Sequence, residues 1–236
     1  METKKLGSLY FDNVAVKPGQ VCETQQFAIG DTVPGKELGW IQDGSILVAD
    51  RTICLGVTWD DLNERGLVFG VPVSIDGKRY LCRCLKVGSK VDAPNEWNDL
   101  LRKFGHSNAI WHWKGQYFWG QEVPEGHHGL RVGRGGNDPF GWTFGGEAAE
   151  SGNCGWRPVL EPLEPLDEIE PSNALLGSRF KVYGPQGEPV TGELSGFDDY
   201  DLVLSAADVP VDCEWTGSVR EHTVISREDI SLMQRI

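Results

Sequence analysis

With 236 residues, of which 39% are hydrophobic, the chain is long enough to bury a substantial core and to divide into one large and one small domain. Its 35 acidic residues against 22 basic ones leave a formal net charge of −13, which argues against non-specific binding to nucleic acid or an anionic membrane. Proteins, cations and neutral molecules are the partners this charge favours. There is no apolar run of about 18 residues, and Met1-Glu2-Thr3-Lys4-Lys5 leads into no apolar leader core, so a cytoplasmic protein without a membrane partner is expected.

Residues 7–50 carry Gly, Pro and Asp turn signals between short strands such as Ser45-Ile46-Leu47-Val48. Thr58 and Asp61 have capping-box spacing and Gly66 is a stop, which predicts a short helix between them. Val71, Val73 and Ile75 alternate up to Asp76-Gly77, and Tyr80, Cys82 and Cys84 alternate beyond it, which predicts a two-residue-turn hairpin. From Pro94 to Phe104, Trp97, Leu100, Leu101 and Phe104 fall at helical spacing, with Pro94 in the first turn and Gly105 as the stop. Trp111 and Trp113 flank His112 as one buried face of a strand would. Arg134-Gly135-Gly136 permits positive φ and a close approach of loop to core. Residues 137–153, rich in glycine with Phe140, Trp142 and Phe144, suit a structured surface loop better than a helix.

Residues 162–173 combine Pro162, Pro165 and Pro171 with acidic residues, the composition of an extended, mobile linker and a domain boundary. Beyond it, Arg179–Tyr183, Val190–Asp198, Tyr200–Leu204 and Thr223–Ile230 form short strands separated by Gly and Asp turns. The six cysteines carry no disulfide spacing, since Cys22, Cys54, Cys154 and Cys213 are isolated, and reduced thiols are expected. Cys82 and Cys84 would share one strand face, which leaves a metal site there open.

The ordered motifs Asn95-Glu96-Trp97, Trp111-His112-Trp113, Arg134-Gly135-Gly136 and Gly155-Trp156-Arg157-Pro158-Val159-Leu160-Glu161 resemble the C-type-lectin-like fold in its formylglycine-generating-enzyme (sulfatase-modifying) branch. They are similar also to proteins of gut Firmicutes and their phages. The Gly192-Glu193-Leu194-Ser195-Gly196-Phe197-Asp198 turn, with Tyr200-Asp201-Leu202-Val203-Leu204 and the closing Ile225-Ser226-Arg227, resembles an Sm-like (SH3-like) small barrel. Together these resemblances imply an α+β protein. A C-type-lectin-like domain with few helices and many short strands would occupy residues 1–161, the linker 162–173, and an all-β barrel 174–236.

Several residues that those families would need are missing. The formylglycine-generating enzymes use paired cysteines near the final strand, where this chain has Cys154 alone. Its five histidines, His106, His112, His127, His128 and His222, contain no His-x3-His pair for an iron site. In the barrel, Asp201 stands where an RNA-contacting Asn would, and Ser226-Arg227 replaces Arg-Gly, so RNA binding is disfavoured. No catalytic residue, metal or cofactor is expected.

Between the Arg-Gly-Gly turn and the closing strand, the lectin resemblance implies a ligand surface formed by Asn137, Asp138, Phe140, Trp142, Phe144 and Glu147. Exposed aromatics there would suit a protein or glycan ligand. Alternatively, Phe140, Trp142 and Phe144, spaced by two, form the inward face of a strand. Arg134 and Arg157 are read as structural, paired with carboxylates or loop carbonyls. The expected function is a non-catalytic recognition protein encoded by a phage or mobile element, host-cytoplasmic or in the virion, with the barrel for docking or homo-oligomer assembly. The alternative is an intracellular anti-defence inhibitor that binds a host effector or a nucleotide.

Overall fold

The computed structural model describes residues 2–24, 26–149, 151–163 and 169–236. The chain begins with β1 (Glu2–Phe11), β2 (Val14–Val16), β3 (Gln20–Val21), β4 (Phe27–Gly30), β5 (Glu37–Asp43), β6 (Ile46–Ala49), β7 (Cys54–Leu55) and the first helix, α1 (Trp59–Asn63). It continues through β8 (Val71–Ile75), β9 (Lys78–Cys84), α2 (Glu96–Phe104), α3 (Asn108–Trp111), β10 (Tyr117–Trp119), β11 (Leu130–Gly135), β12 (Trp142–Gly146), β13 (Cys154–Trp156) and β14 (Pro158–Pro162). The C-terminal part adds β15 (Arg179–Tyr183), β16 (Val190–Phe197), β17 (Asp201–Asp208), β18 (Thr216–Val219), β19 (His222–Ser226) and β20 (Leu232–Arg235).

These strands form three sheets. An eight-stranded sheet runs β2-β1-β5-β6-β14-β9-β8, with β4 also paired to β1, and a six-stranded sheet runs β12-β11-β10-β13-β7-β3. The C-terminal strands make their own sheet in the order β18-β19-β17-β16-β15-β20. At 45% strand and 11% helix, the protein is closer to all-β than to the α+β, lectin-like class expected from the sequence. The reason is local. Of the three α-helices, two are only four and five residues long, while β-branched and aromatic alternation between glycine turns builds strands almost everywhere else.

Local signals account for the elements that match. Thr58 and Asp61 close a reciprocal capping box on α1. Asp76 and Gly77 take φ of 52° and 72°, which turns β8 back into β9 with Val71 opposite Cys82. Helix α2 starts later than its pattern predicts: Asn95 is the cap, its side chain accepting from Asn98 N, so Pro94 lies outside the first turn.

The strand expected at Trp111–Trp113 is corrected. Ser107 caps a single helical turn, α3, and His112 ends it in the left-handed region at φ 45°. Trp111 is buried, whereas Trp113 stays partly exposed, each indole donating to a nearby carbonyl, Gly105 O at 2.8 Å and His106 O at 3.0 Å. The segment expected as a loop over 137–153 is corrected in part, since it contains β12. Of the expected linker, Pro162 closes β14 and residues 173–175 form a 3-10 turn, while residues 164–168 lie outside the described residues.

Consecutive residues on the central strands separate into different cores. Trp40, Leu47 and Leu160 belong to one buried cluster, and their neighbours Ile41, Val48 and Val159 to another. The eight-stranded sheet is thus covered on both faces, as the alternation of side chains along a strand requires. The second cluster receives the apolar face of α2 through Trp97, Leu100 and Leu101. The C-terminal sheet has its own core, centred on Phe180, Leu194, Leu204 and Ile225. A small cluster of Leu81, Tyr183 and Leu232 joins it to the rest.

Strands β13 and β14 belong to different sheets, and Arg157 is the residue between them. It is fully buried. Its guanidinium lies 4.8 Å from the ring centres of both Trp97 and Phe118, and its Nη2 donates to Trp111 O at 2.6 Å. Burial, the dominant influence, pushes its pKa down, yet a guanidinium keeps its charge in a protein. Arg157→Ala should remove both the packing and the stacking, and reduce unfolding free energy by about 3 kcal/mol or more. A urea titration checks this; a midpoint equal to that of the parent protein would refute the role of Arg157 as a core hub.

Candidate functional site

The six residues expected to bind a ligand are gathered on one hairpin. Asn137, Asp138 and Phe140 lie on the turn joining β11 to β12, Trp142 and Phe144 are on β12, and Glu147 directly follows it. The pairing sets Val132 opposite Phe144 and Arg134 opposite Trp142. Gly135 and Gly136 take positive φ, and a Cβ at Gly135 would stand 2.4 Å from Gln116 O, the close approach their sequence predicts.

The turn is held by hydrogen bonds at nearly every residue. Asp138 accepts from Phe140 N at 2.7 Å through its carboxylate, and its carbonyl accepts from Gly141 N at 2.9 Å. Buried Arg134 donates to Phe140 O at 2.9 Å and, from Nε and Nη2, to Val87 O at 3.0 and 2.7 Å. The indole of Trp97, on α2, donates to Pro139 O at 2.7 Å. Arg134 and Arg157 therefore both donate to backbone carbonyls, which agrees with their structural reading. Burial pushes the Arg134 pKa down, opposed by the charge of Glu122.

The two alternatives for the aromatics divide among the residues. Trp142 and Phe144 do share one strand face, and Trp142 is half-buried against the second core with its indole donating to Gly88 O at 3.2 Å. Phe144 sits further along an edge strand and is 44% exposed; Phe140, on the turn, is 38% exposed. Phe144 stacks on His127 with ring centres 5.3 Å apart at 18°, and meets Trp142 edge-on at 5.3 Å and 69°. Phe140 lies 6.0 Å from the His106 ring.

Glu147 is tied into the scaffold. It pairs with Arg131 at 2.5 Å, and Arg131 lies over the Trp59 ring at 4.2 Å. Burial first, then the charge of Glu147, pushes the neighbouring Asp60 carboxyl up, against Arg131. His127, His106 and Arg131 are the residues sequence reading missed. Nothing in the sequence placed them there; the observed β11–β12 pairing, which sets Leu130 opposite Gly146, brings His127 and Arg131 beside β12.

What results is a pair of exposed aromatics, Phe140 on a turn fixed by backbone hydrogen bonds and Phe144 on the strand that follows it. Such a surface can stack on a ring or on the apolar face of a sugar. Among the described residues, no group of three or more His, Cys, Asp and Glu side chains is placed to hold a metal. Cys82 and Cys84 do share a strand face, but both point into the first core, where burial raises their thiol pKa values and opposes the deprotonation a metal needs. In the C-terminal sheet, Asp201 pairs with Ser226, and Arg227 is engaged by Glu170 at 2.9 Å and Asp198 O at 3.1 Å. A large groove between the N-terminal sheet and the C-terminal strands, with Lys4, Lys78, Tyr80 and Met233 on its walls, is separate from this surface. Among the described residues, no helix is long and apolar enough to cross a membrane.

Exposure predicts how these aromatics respond to truncation. Phe140→Ala and Phe144→Ala should each change stability by less than about 1 kcal/mol, while Trp142→Ala should cost roughly 2–3 kcal/mol because it loses core packing and an indole hydrogen bond. Denaturant titration of the three variants checks the order, and equal losses would refute it. Comparison with protein-family models, with curated proteins and with solved structures finds no match.

Proposed function

We propose that this chain is a non-catalytic recognition protein that binds a protein or a glycan through the β11–β12 hairpin. The observation that carries the reading is the pairing of exposed Phe140 and Phe144 with a turn whose backbone is fixed by Asp138, Arg134 and Trp97. An aromatic already held in place contributes contact area at little entropy cost, which is how anchor residues act in known interfaces. The stacked His127 adds a polar edge to the same patch. The net charge of −13 supports neutral or basic ligands over nucleic acid.

The reading is tested by applying the parent protein, Phe140→Ala and Phe144→Ala to an array of glycans and to panels of displayed peptides. Each substitution should weaken a bound ligand by about 1 kcal/mol or more, roughly fivefold in affinity, with the thermal transition unchanged. Ligands retained at full affinity by both variants would overturn the assignment of this surface.

A further inference from the structure

Two cysteines that look isolated in sequence meet in the fold. Strand β3 runs parallel to β7, with Gln20 beside Cys54 and Val21 beside Leu55, and Cys22 N extends the ladder by donating to Leu55 O at 2.8 Å. That register sets Cys22 and Cys54 on the same side of the pair, where Cys22 packs against the buried cluster that contains Cys54. Cys54 is fully buried; Cys22 is partly buried on the loop that leaves the strand, its thiol donating to Thr24 O at 3.0 Å. Isolated in sequence by 31 intervening residues, they come together because β7 joins the edge strand β3.

We propose that Cys22 and Cys54 form a redox-active dithiol, with Cys22 the sulfur that attacks a hydroperoxide and Cys54 the sulfur that resolves it into a disulfide. The accessible member is the one whose thiolate is favoured. Its pKa is lowered to about 7, first by the Cys54 thiol donating to it, with the backbone at Thr24 and the charge of Arg65 adding to the effect against burial and Asp61. The remaining buried thiols are shifted the other way, Cys154 up to about 12 by burial, so they are poor nucleophiles.

The chemistry balances with the hydroperoxide as the two-electron oxidant. The Cys22 thiolate attacks the terminal peroxide oxygen, the O–O bond breaks, and the departing alkoxide takes a proton to leave as alcohol. Cys22 is now a sulfenic acid. The Cys54 sulfur then attacks the Cys22 sulfur, the S–O bond breaks, and hydroxide leaves with the Cys54 proton as water. While Cys22 is a thiolate, its hydrogen bond and its charge, together with burial, hold the Cys54 proton in place. Oxidation of Cys22 removes that thiolate and leaves burial as the main influence on the Cys54 thiol, whose advantage over the other buried thiols is its place beside the Cys22 sulfur.

The test uses the full chain, reduced and then exposed to hydrogen peroxide at neutral pH, with unreacted thiols blocked and peptides weighed. The expected result is loss of two thiols per chain and a Cys22–Cys54 linked peptide pair that dithiothreitol releases. Cys22→Ser should abolish the link, and Cys54→Ala should leave a sulfenic acid at Cys22 that a dimedone probe captures. In the parent protein the alkylation rate of Cys22 should titrate with a midpoint of about 7. At neutral pH it should exceed that of a free cysteine peptide by roughly threefold, since a gain of about 15-fold in thiolate is partly offset by lower nucleophilicity. Over-oxidation of Cys22 without a link, a link to any other cysteine, or alkylation no faster than the free peptide would each overturn the proposal. The wild-type mapping decides the question even if Cys54→Ala fails to fold.

Discussion

The packing of the larger part of this protein depends on a single buried cation. Arg157 occupies the point where the chain leaves one sheet and enters the other, and its guanidinium lies against both Trp97 of α2 and Phe118 of β10. Removing a charge from water is costly, and among the described residues no carboxylate is hydrogen-bonded to it. Two aromatic faces and the carbonyl of Trp111 offset that cost instead. One side chain thereby fixes helix α2, the single turn of α3 and both sheets relative to each other.

The same device recurs at Arg134. It is buried, it serves the carbonyls of Val87 and Phe140, and it anchors the turn that carries the exposed aromatics. A carbonyl accepts from a cation without bringing a second charge into the interior, so a loop can be tied down at a smaller desolvation cost than a buried ion pair would require. Arg83 uses the other solution, with Glu96 and Glu161 at 2.7 and 2.5 Å, and it does so at the base of α2, where those carboxylates remain partly exposed. The scaffold beneath the hairpin is thus rigid, while the outermost rings of Phe140 and Phe144 remain available to a ligand.

In the tryptophan-rich segment a strand was expected where the chain makes a helical turn, and a loop where it makes strand β12. Trp111-His112-Trp113 alternates as a strand should, yet Ser107 as a cap and His112 in the left-handed region bend it into one helical turn, and alternation over three residues cannot distinguish the two. Residues 137–153 read as a loop because their glycines dilute the pattern. Pairing with β11 supplies the register that makes Trp142–Gly146 a strand.

Local chemistry by itself determined the Asp76-Gly77 hairpin, the Thr58–Asp61 capping box, the apolar face of α2 and the need for positive φ at Gly135 and Gly136, because each is settled by residues within one turn of the chain. The residues of the aromatic hairpin were singled out by the lectin resemblance rather than by local chemistry. Only tertiary structure decided which of those rings are buried, that Arg131 meets Glu147, and that Cys22 meets Cys54. Those outcomes depend on strand order and register between segments far apart in sequence, and no local preference encodes which edge a distant strand will join.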